Sequence, residues 1–373
     1  MNERRQMKKV SSIVLAVALA LGMTVSVSPA ANAACTGKLK IAYQGPLTGP
    51  EAALGLNELR GVQFAVKKSG LDIEVKEVDD QGDPAVAGPI APSVPQDDCV
   101  VALVGPAYSG ASRVSLPVYL SAGLPIITPS ATNPTLFDFG GKIFHRAVLT
   151  DDYQGPALAR LITSKVKNAR VFLINDATDY SVGLAKLVDF TLASRVVGKE
   201  TTPQGTTDFT STIAKIKKSK ANVVAYTGYF SQAAVLVKQL RDSGSKAVFA
   251  AGDGVLDAQF VKLARKAAEG AILTAPAVPL DAANAKLAAE FKKTMGVDAG
   301  VYTTESYDAA NFFIAAIKKG NKDRASILNY IKKNSHKGLS KTLKFDDKGE
   351  VAGVDVNGFL IKGGKIVLTG AIK

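Results

Sequence analysis

The stretch Val100-Val-Ala-Leu-Val-Gly-Pro-Ala-Tyr-Ser-Gly-Ala-Ser112 decides how this sequence folds, together with Leu124-Pro-Ile-Ile-Thr-Pro-Ser-Ala-Thr-Asn-Pro134. Val100–Val104 is a short unbroken apolar run rich in Val, the pattern of a buried parallel strand. Gly105-Pro106 stops it. Tyr108-Ser109-Gly110-Ala111-Ser112 then offers small and hydroxyl residues where a helix should begin, with Ser109 or Ser112 as N-cap. The first turn of such a helix leaves backbone N–H groups free to receive an anion. The second run, Leu124–Thr128, opens into the hydroxyl-rich Ser130-Ala131-Thr132-Asn133. In an open parallel sheet, neighbouring strands that end this way share one crevice at their carboxyl ends, where such folds bind ligands. Ser109 and Thr132 are expected to hold one end of a small anionic group there.

The same strand–helix alternation runs outward in both directions. Upstream, Leu39–Gln44 and Ile73–Val78 read as strands around a helix at Glu51–Lys68. Pro89, Pro92 and Pro95 predict a short or broken helix before Val100, since proline removes a helical hydrogen bond and clashes with the preceding turn. Lys142–Arg146 is a further strand. From Thr150 the pattern repeats, with strands at Arg170–Asn175, Val197–Thr202, Val223–Thr227, Val248–Ala250 and Ala271–Ala275. Helices at Gln154–Lys165, Ser181–Arg195, Phe209–Ser219, Gln232–Ser243 and Phe260–Ala267 fall around them. Three helices follow, then strands at Leu343–Phe345, Val354–Ile361 and Lys365–Leu368. Two such runs predict two α/β lobes with mostly parallel, doubly wound sheets.

The chain has 373 residues and a formal charge of +13. Residues 1–33 read as a secretory signal peptide. Arg4, Arg5, Lys8 and Lys9 precede an apolar stretch, and Ala31-Asn32-Ala33 forms an A-x-A cleavage site. Without this segment, which also carries Glu3, the charge is +10. The remaining lysines are dispersed over helical stretches with no nucleic-acid-binding motif beside them, so they read as solvated faces and no nucleic-acid partner is expected. No later stretch is long and apolar enough to cross a bilayer. The two cysteines, Cys35 and Cys99, each precede a strand. The first and third strands of a doubly wound sheet are neighbours, so a disulfide is one reading in an oxidising compartment and acylation of Cys35 is the other.

Nucleotide and metal motifs are missing, so no cofactor is expected. Gly45-Pro-Leu-Thr-Gly49 does not fit a dinucleotide loop, and His145 and His336 stand alone. His145, between Phe144 and Arg146 in a strand, reads as structural. The informative residues lie at strand ends. Ser109, Ser130 and Thr132 belong to the first run. Tyr180, Tyr229 and Asp253 belong to the second. Hydroxyls facing an acid and aromatics form a complementary set for a zwitterion, with donors for its carboxylate and an acid for its ammonium.

At these residues the chain resembles the leucine/isoleucine/valine-binding protein family, the periplasmic receptors of branched-chain amino-acid ABC transporters. The likeness is carried by Tyr43–Pro50, Pro129–Pro134, Asp151–Pro156, Asp179–Gly183 and Phe345–Gly349, and runs over about residues 38–368. It implies a type I periplasmic-binding-protein fold with two lobes joined by three crossings, closing on ligand by hinge bending. The lobes would be 35–148 plus 276–356, and 149–275 plus 357–373. It implies that Ser109 and Thr132 hold the ligand carboxylate, and that Asp253, with groups near Ser130 and Thr132, holds the ammonium. Leu54, Tyr180, Tyr229 and Tyr302 would surround the side chain. The implied partners are a free amino acid and the permease subunits of an importer, with the receptor itself an exported, non-enzymatic monomer.

Three departures stand out. The family acid is usually Glu and is Asp253 here, and an often aromatic position is Leu54. The family's common disulfide positions fall on Gln81 and Tyr108. Two alternatives remain on the sequence alone: the same fold binding an amide, urea or aromatic acid, or a secreted α/β hydrolase with Ser109 as nucleophile.

Overall fold

Five strands place the decisive stretch at the centre of a sheet. The structure, a computed structural model, describes residues 35–353 and 355–373. The signal-peptide reading of residues 1–33 lies outside the described residues. In chain order the first elements are β1 (Lys40–Gly45), α1 (Ala52–Ser69), β2 (Glu74–Asp79) and α2 (Pro84–Ile90). Next come β3 (Val100–Val104), α3 (Ser109–Ser121), β4 (Ile126–Thr128), α4 (Phe137–Gly140) and β5 (Phe144–Arg146). The strands form one sheet in the order β2-β1-β3-β4-β5, with every pairing parallel. All five residues of β3 are buried, as its unbroken apolar run requires. The expected proline-broken helix is α2 followed by a single 3-10 turn over Ala91–Ser93.

Crossing to the second sheet, the chain runs through α5 (Asp151–Lys165), β6 (Val171–Asn175), α6 (Asp179–Leu192), β7 (Val196–Thr201) and α7 (Thr210–Lys218). It continues with β8 (Val223–Tyr226), α8 (Phe230–Asp242), β9 (Val248–Ala251), α9 (Ala258–Ala264) and β10 (Ile272–Ala275). The order β7-β6-β8-β9-β10 repeats that of the first sheet. Helices α10 (Leu280–Ala283), α11 (Ala285–Met295), α12 (Thr303–Lys318) and α13 (Arg324–Lys333) then return to the first sheet, where α12 packs on α1. Gly61 permits that approach, because a Cβ there would lie 2.5 Å from the Thr303 carbonyl oxygen. After a short ribbon, β11 (His336–Lys337) with β12 (Thr342–Leu343), the hairpin β13 (Asn357–Lys362) and β14 (Lys365–Ala371) joins β10 antiparallel.

Three readings need adjustment. Neither Ser109 nor Ser112 caps α3. Tyr108 is the N-cap, with extended backbone, Ser109 opens the helix, and the Ser112 hydroxyl donates to the Pro106 carbonyl at 3.1 Å. The small residues there serve close packing rather than capping. The strand expected at Leu343–Phe345 ends at Leu343, with Phe345 bridging only to Val351. The strand expected from Val354 begins at Asn357, and Val354 itself is outside the described residues. Cys35 and Cys99 are joined, Cα to Cα 4.6 Å, tying the start of β1 to the start of β3.

Candidate functional site

The carboxyl ends of β3 and β4 deliver Ser109 and Ser130 to the same place. Across from them, the segments after β6, β8 and β9 deliver Tyr180, Tyr229 and Asp253. These five residues, with Leu54 and Tyr302, line one cavity of about 20 Å³ between the two sheets. That volume is room for about one water. So seven of the eight expected ligand contacts converge. Thr132 does not line the cavity; it is fully buried one step behind. Its carbonyl accepts the Asp151 N–H at 3.0 Å, and its hydroxyl has no hydrogen bond of ordinary geometry.

Asp253 is the centre of the arrangement. One carboxylate oxygen accepts from Gln154 Nε2 at 2.6 Å and from the Tyr180 hydroxyl at 2.8 Å. The other accepts from the Tyr302 hydroxyl at 2.7 Å. Tyr302 precedes α12 in the left-handed region, φ 63°, a conformation rare for a bulky residue. The first-sheet side is held by its own backbone: the Ser130 hydroxyl donates to the Ala107 carbonyl at 2.7 Å, and Ser109 Oγ accepts the Asn133 N–H at 3.3 Å. The second-sheet tyrosines pack as a cluster. Tyr229 stacks on Tyr108 with centroids 4.4 Å apart and leans on Tyr180 at 5.3 Å.

Sequence reasoning missed four residues here. Glu58 and Tyr108 line the cavity, Gln154 orients Asp253, and Asp151 lies buried behind Thr132. The signal for Glu58 was its spacing: it lies four residues after Leu54 on α1, hence on the same helical face. Gln154 and Asp151 sit inside the quoted stretch Asp151–Pro156.

The cleft is acidic and has no cation of its own in its lining. Burial pushes the Glu58 carboxyl up to about 8, with the Ser130 and Tyr43 hydroxyls pulling it down. Burial likewise raises Asp253, against its three donors. Asp151 is raised well above the ordinary carboxylate range, first by burial and then by the charge of Asp253. A positive group placed among these carboxyls would relieve all three shifts, because an opposite charge favours the ionised form. His145 does not line the cavity. It is buried, its Nδ1 faces the Ile126 carbonyl at 3.1 Å, and burial lowers it to about 4. Among the described residues no group of three His, Cys, Asp or Glu side chains is placed to hold a metal ion.

Several contacts cross between the two sides and hold the cleft shut. Asn57 Nδ2 donates to Asp257 at 2.9 Å, Asn133 Nδ2 to the Asp179 carbonyl at 3.0 Å, and the Ser231 hydroxyl to Glu51. Arg113 pairs with Asp179 at 3.1 Å.

A sequence profile described as periplasmic binding protein matches residues 38–364. The chain belongs to that family. Among its relatives is the leucine-, isoleucine-, valine-, threonine- and alanine-binding protein of Pseudomonas aeruginosa, 29% identical over 91% of this chain and 93% of the relative. The Leu/Ile/Val-binding protein of Escherichia coli K12 is also 29% identical, over 88% and 92%. In three dimensions the chain resembles the isoleucine complex of a branched-chain amino acid transporter substrate binding protein from Streptococcus pneumoniae. The TM-score is 0.82 at 25% identity, over 90% of this chain and 100% of that one. The family and the doubly wound α/β fold expected from the sequence are thus those found.

Proposed function

We propose that this periplasmic-binding-protein chain is the extracytoplasmic receptor of an ABC importer and binds an α-amino acid with an aliphatic, branched side chain between two closing lobes. The observation that carries the reading is Asp253. A buried carboxylate held by three neutral donors, beside Glu58 and with no cation in the lining, matches the ammonium of a zwitterion. The Ser109 hydroxyl and the first turn of α3 would take the carboxylate, with Thr132 shaping the turn behind. Leu54, Tyr180, Tyr229 and Tyr302 would enclose the side chain. The relatives from Pseudomonas aeruginosa and Escherichia coli, both named for binding leucine, isoleucine and valine, support that choice of side chain.

The lobes would comprise 35–148 plus 276–356 and 149–275 plus 357–373, each carrying one of the two sheets. The small cavity means that ligand reaches the site only when these lobes part. Binding then joins them, because the ligand touches both, and the closed form is what the permease would read. The receptor would act as a monomer, without a cofactor or nucleic acid and without making or breaking a bond. Ser109 Oγ is engaged by a backbone N–H rather than by a base.

The test is thermal shift and calorimetry on the purified exported chain, free of co-purified ligand. Leucine, isoleucine, valine, threonine and alanine are compared with urea, acetamide and benzoate. A ligand that binds the folded state raises its melting temperature by mass action. Selective shifts with the aliphatic amino acids are expected. Shifts with the controls alone would overturn the ammonium site, and no shift with any compound would overturn the receptor reading.

A further inference from the structure

The cavity at Asp253 is not the only space in the cleft. A space of about 310 Å³ lies nearby, lined by Gly82, Pro84, Gly110, Asp176, Asp179 and Gln204 among others. Tyr108 and Tyr229 are the two residues that line both spaces. Their rings stack at 4.4 Å with planes 8° apart, one from each side of the cleft, so the pair is a partition. The Tyr108 ring also presses on Gly82, where a Cβ would come within 2.9 Å of a ring carbon. The ring is therefore packed against both a glycine and a second ring. Its hydroxyl has no hydrogen-bond partner, so packing holds it in place.

We propose that Tyr108 is a specificity-determining residue: its ring, stacked on Tyr229, is the wall that limits the length of the ligand side chain. This rests on the amino-acid reading above. With the wall in place, a side chain growing from the ammonium site meets the stacked tyrosine pair and must be compact. With the wall removed, the inner cavity opens into the larger space and longer or aromatic side chains gain somewhere to go. Position 108 reaches the cleft because it is the N-cap of α3, immediately before Ser109, so one backbone turn sets both the anchoring end of the site and its far limit.

The experiment is calorimetric titration of the full exported chain with leucine and phenylalanine, comparing wild type with Tyr108→Ala, Tyr108→Val and Tyr108→Phe. Wild type should favour leucine over phenylalanine. Tyr108→Ala should narrow that ratio by at least about tenfold, the lower end of what one methylene of pocket space discriminates. Tyr108→Val does the same if the alanine variant folds poorly. Tyr108→Phe should keep the wild-type ratio, because the hydroxyl holds nothing. An unchanged ratio in a folded Tyr108→Ala or Tyr108→Val that still binds leucine overturns the wall and leaves the receptor reading standing. Equal binding of leucine and phenylalanine by wild type also overturns it. Wild type binding no amino acid overturns the receptor reading itself, and the wall with it.

Discussion

Asp253→Asn should separate affinity from stability, with the two moving in different directions. In the closed cleft the carboxylate is buried and held by three neutral donors, so its charge is disfavoured and its pKa raised. Asparagine removes that charge while keeping the shape and one acceptor oxygen. Its amide nitrogen can donate to one tyrosine hydroxyl, which then turns to accept. The ligand-free melting temperature should therefore stay the same or rise. The ligand, in contrast, loses the charged partner of its ammonium. A hydrogen bond to a charged group contributes about 1.5–3 kcal/mol, so affinity for leucine should fall by about 10- to 150-fold. Isocaproate, which is leucine without its amine, supplies the control. Its binding should change little or improve, since a negative neighbour has been removed. Calorimetry on both ligands and a melting curve of the empty variant decide the matter. Equal loss for leucine and isocaproate would refute the ammonium role. A collapse of ligand-free stability would refute the claim that the charge is a burden without ligand.

Further outcomes follow from the same geometry. Thr132→Ala should weaken leucine binding by about 1–3 kcal/mol by loosening the turn behind Ser109 and Ser130, and unchanged affinity in calorimetry would count against it. Burial raises Glu51 to about 7, Glu58 to about 8, Asp80 to about 6 and Glu305 to about 7. A folded pKa above the unfolded one means the folded state binds more protons, so ligand-free stability should fall as pH rises from about 4.5 to about 8. The carboxyls lowered by their partners, such as Asp79 and Asp97, act below about pH 4, and the lowered His145 and His336 oppose the fall only below about pH 6.5, where the raised carboxyls outnumber them. Melting temperatures from pH 5 to 8.5 test this, and Glu58→Gln should flatten the slope; a rising curve would contradict it. Reducing the Cys35–Cys99 bridge, which spans 64 residues, should lower stability by up to about 4 kcal/mol. Intact mass shows whether two hydrogens are lost, and a diacylglycerol mass on Cys35 would reject the bridge.

Much of the fold was legible because β1, β3 and β4 are short, largely apolar runs that end at a glycine or a hydroxyl followed by proline or glycine. The repeat of that pattern after Thr150 reported the second sheet. The site residues at strand ends were legible for the same reason: topology sends those ends to one crevice. What stayed hidden depends on helix phase and on neighbours remote in sequence. Glu58 looks like an ordinary surface charge in Asn57-Glu58-Leu59-Arg60, and its place becomes plain only where Tyr43 of β1 donates to its carboxylate at the cavity wall. Tyr108 is visible as an aromatic, but its role comes from meeting Tyr229, more than a hundred residues on. The N-cap of α3 was misplaced because small hydroxyl residues suit both capping and close packing, and composition alone does not separate the two.

The bridging contacts described above carry a cost of another kind. The Tyr108–Tyr229 stack, the Asn57–Asp257 and Asn133–Asp179 bonds and the Glu51–Ser231 pair all join the two sides directly, side chain to side chain or to backbone. Each makes it easier for the two halves to meet empty, and so raises apparent affinity by removing part of the closing penalty. Each also enlarges the population of shut, vacant molecules. A membrane partner that recognises only the shut outline receives the same message from those as from loaded ones. Sensitivity and fidelity are thus set against each other in the same few side chains, and strengthening any one of these bonds would give a receptor that detects scarcer nutrient at the expense of more false reports.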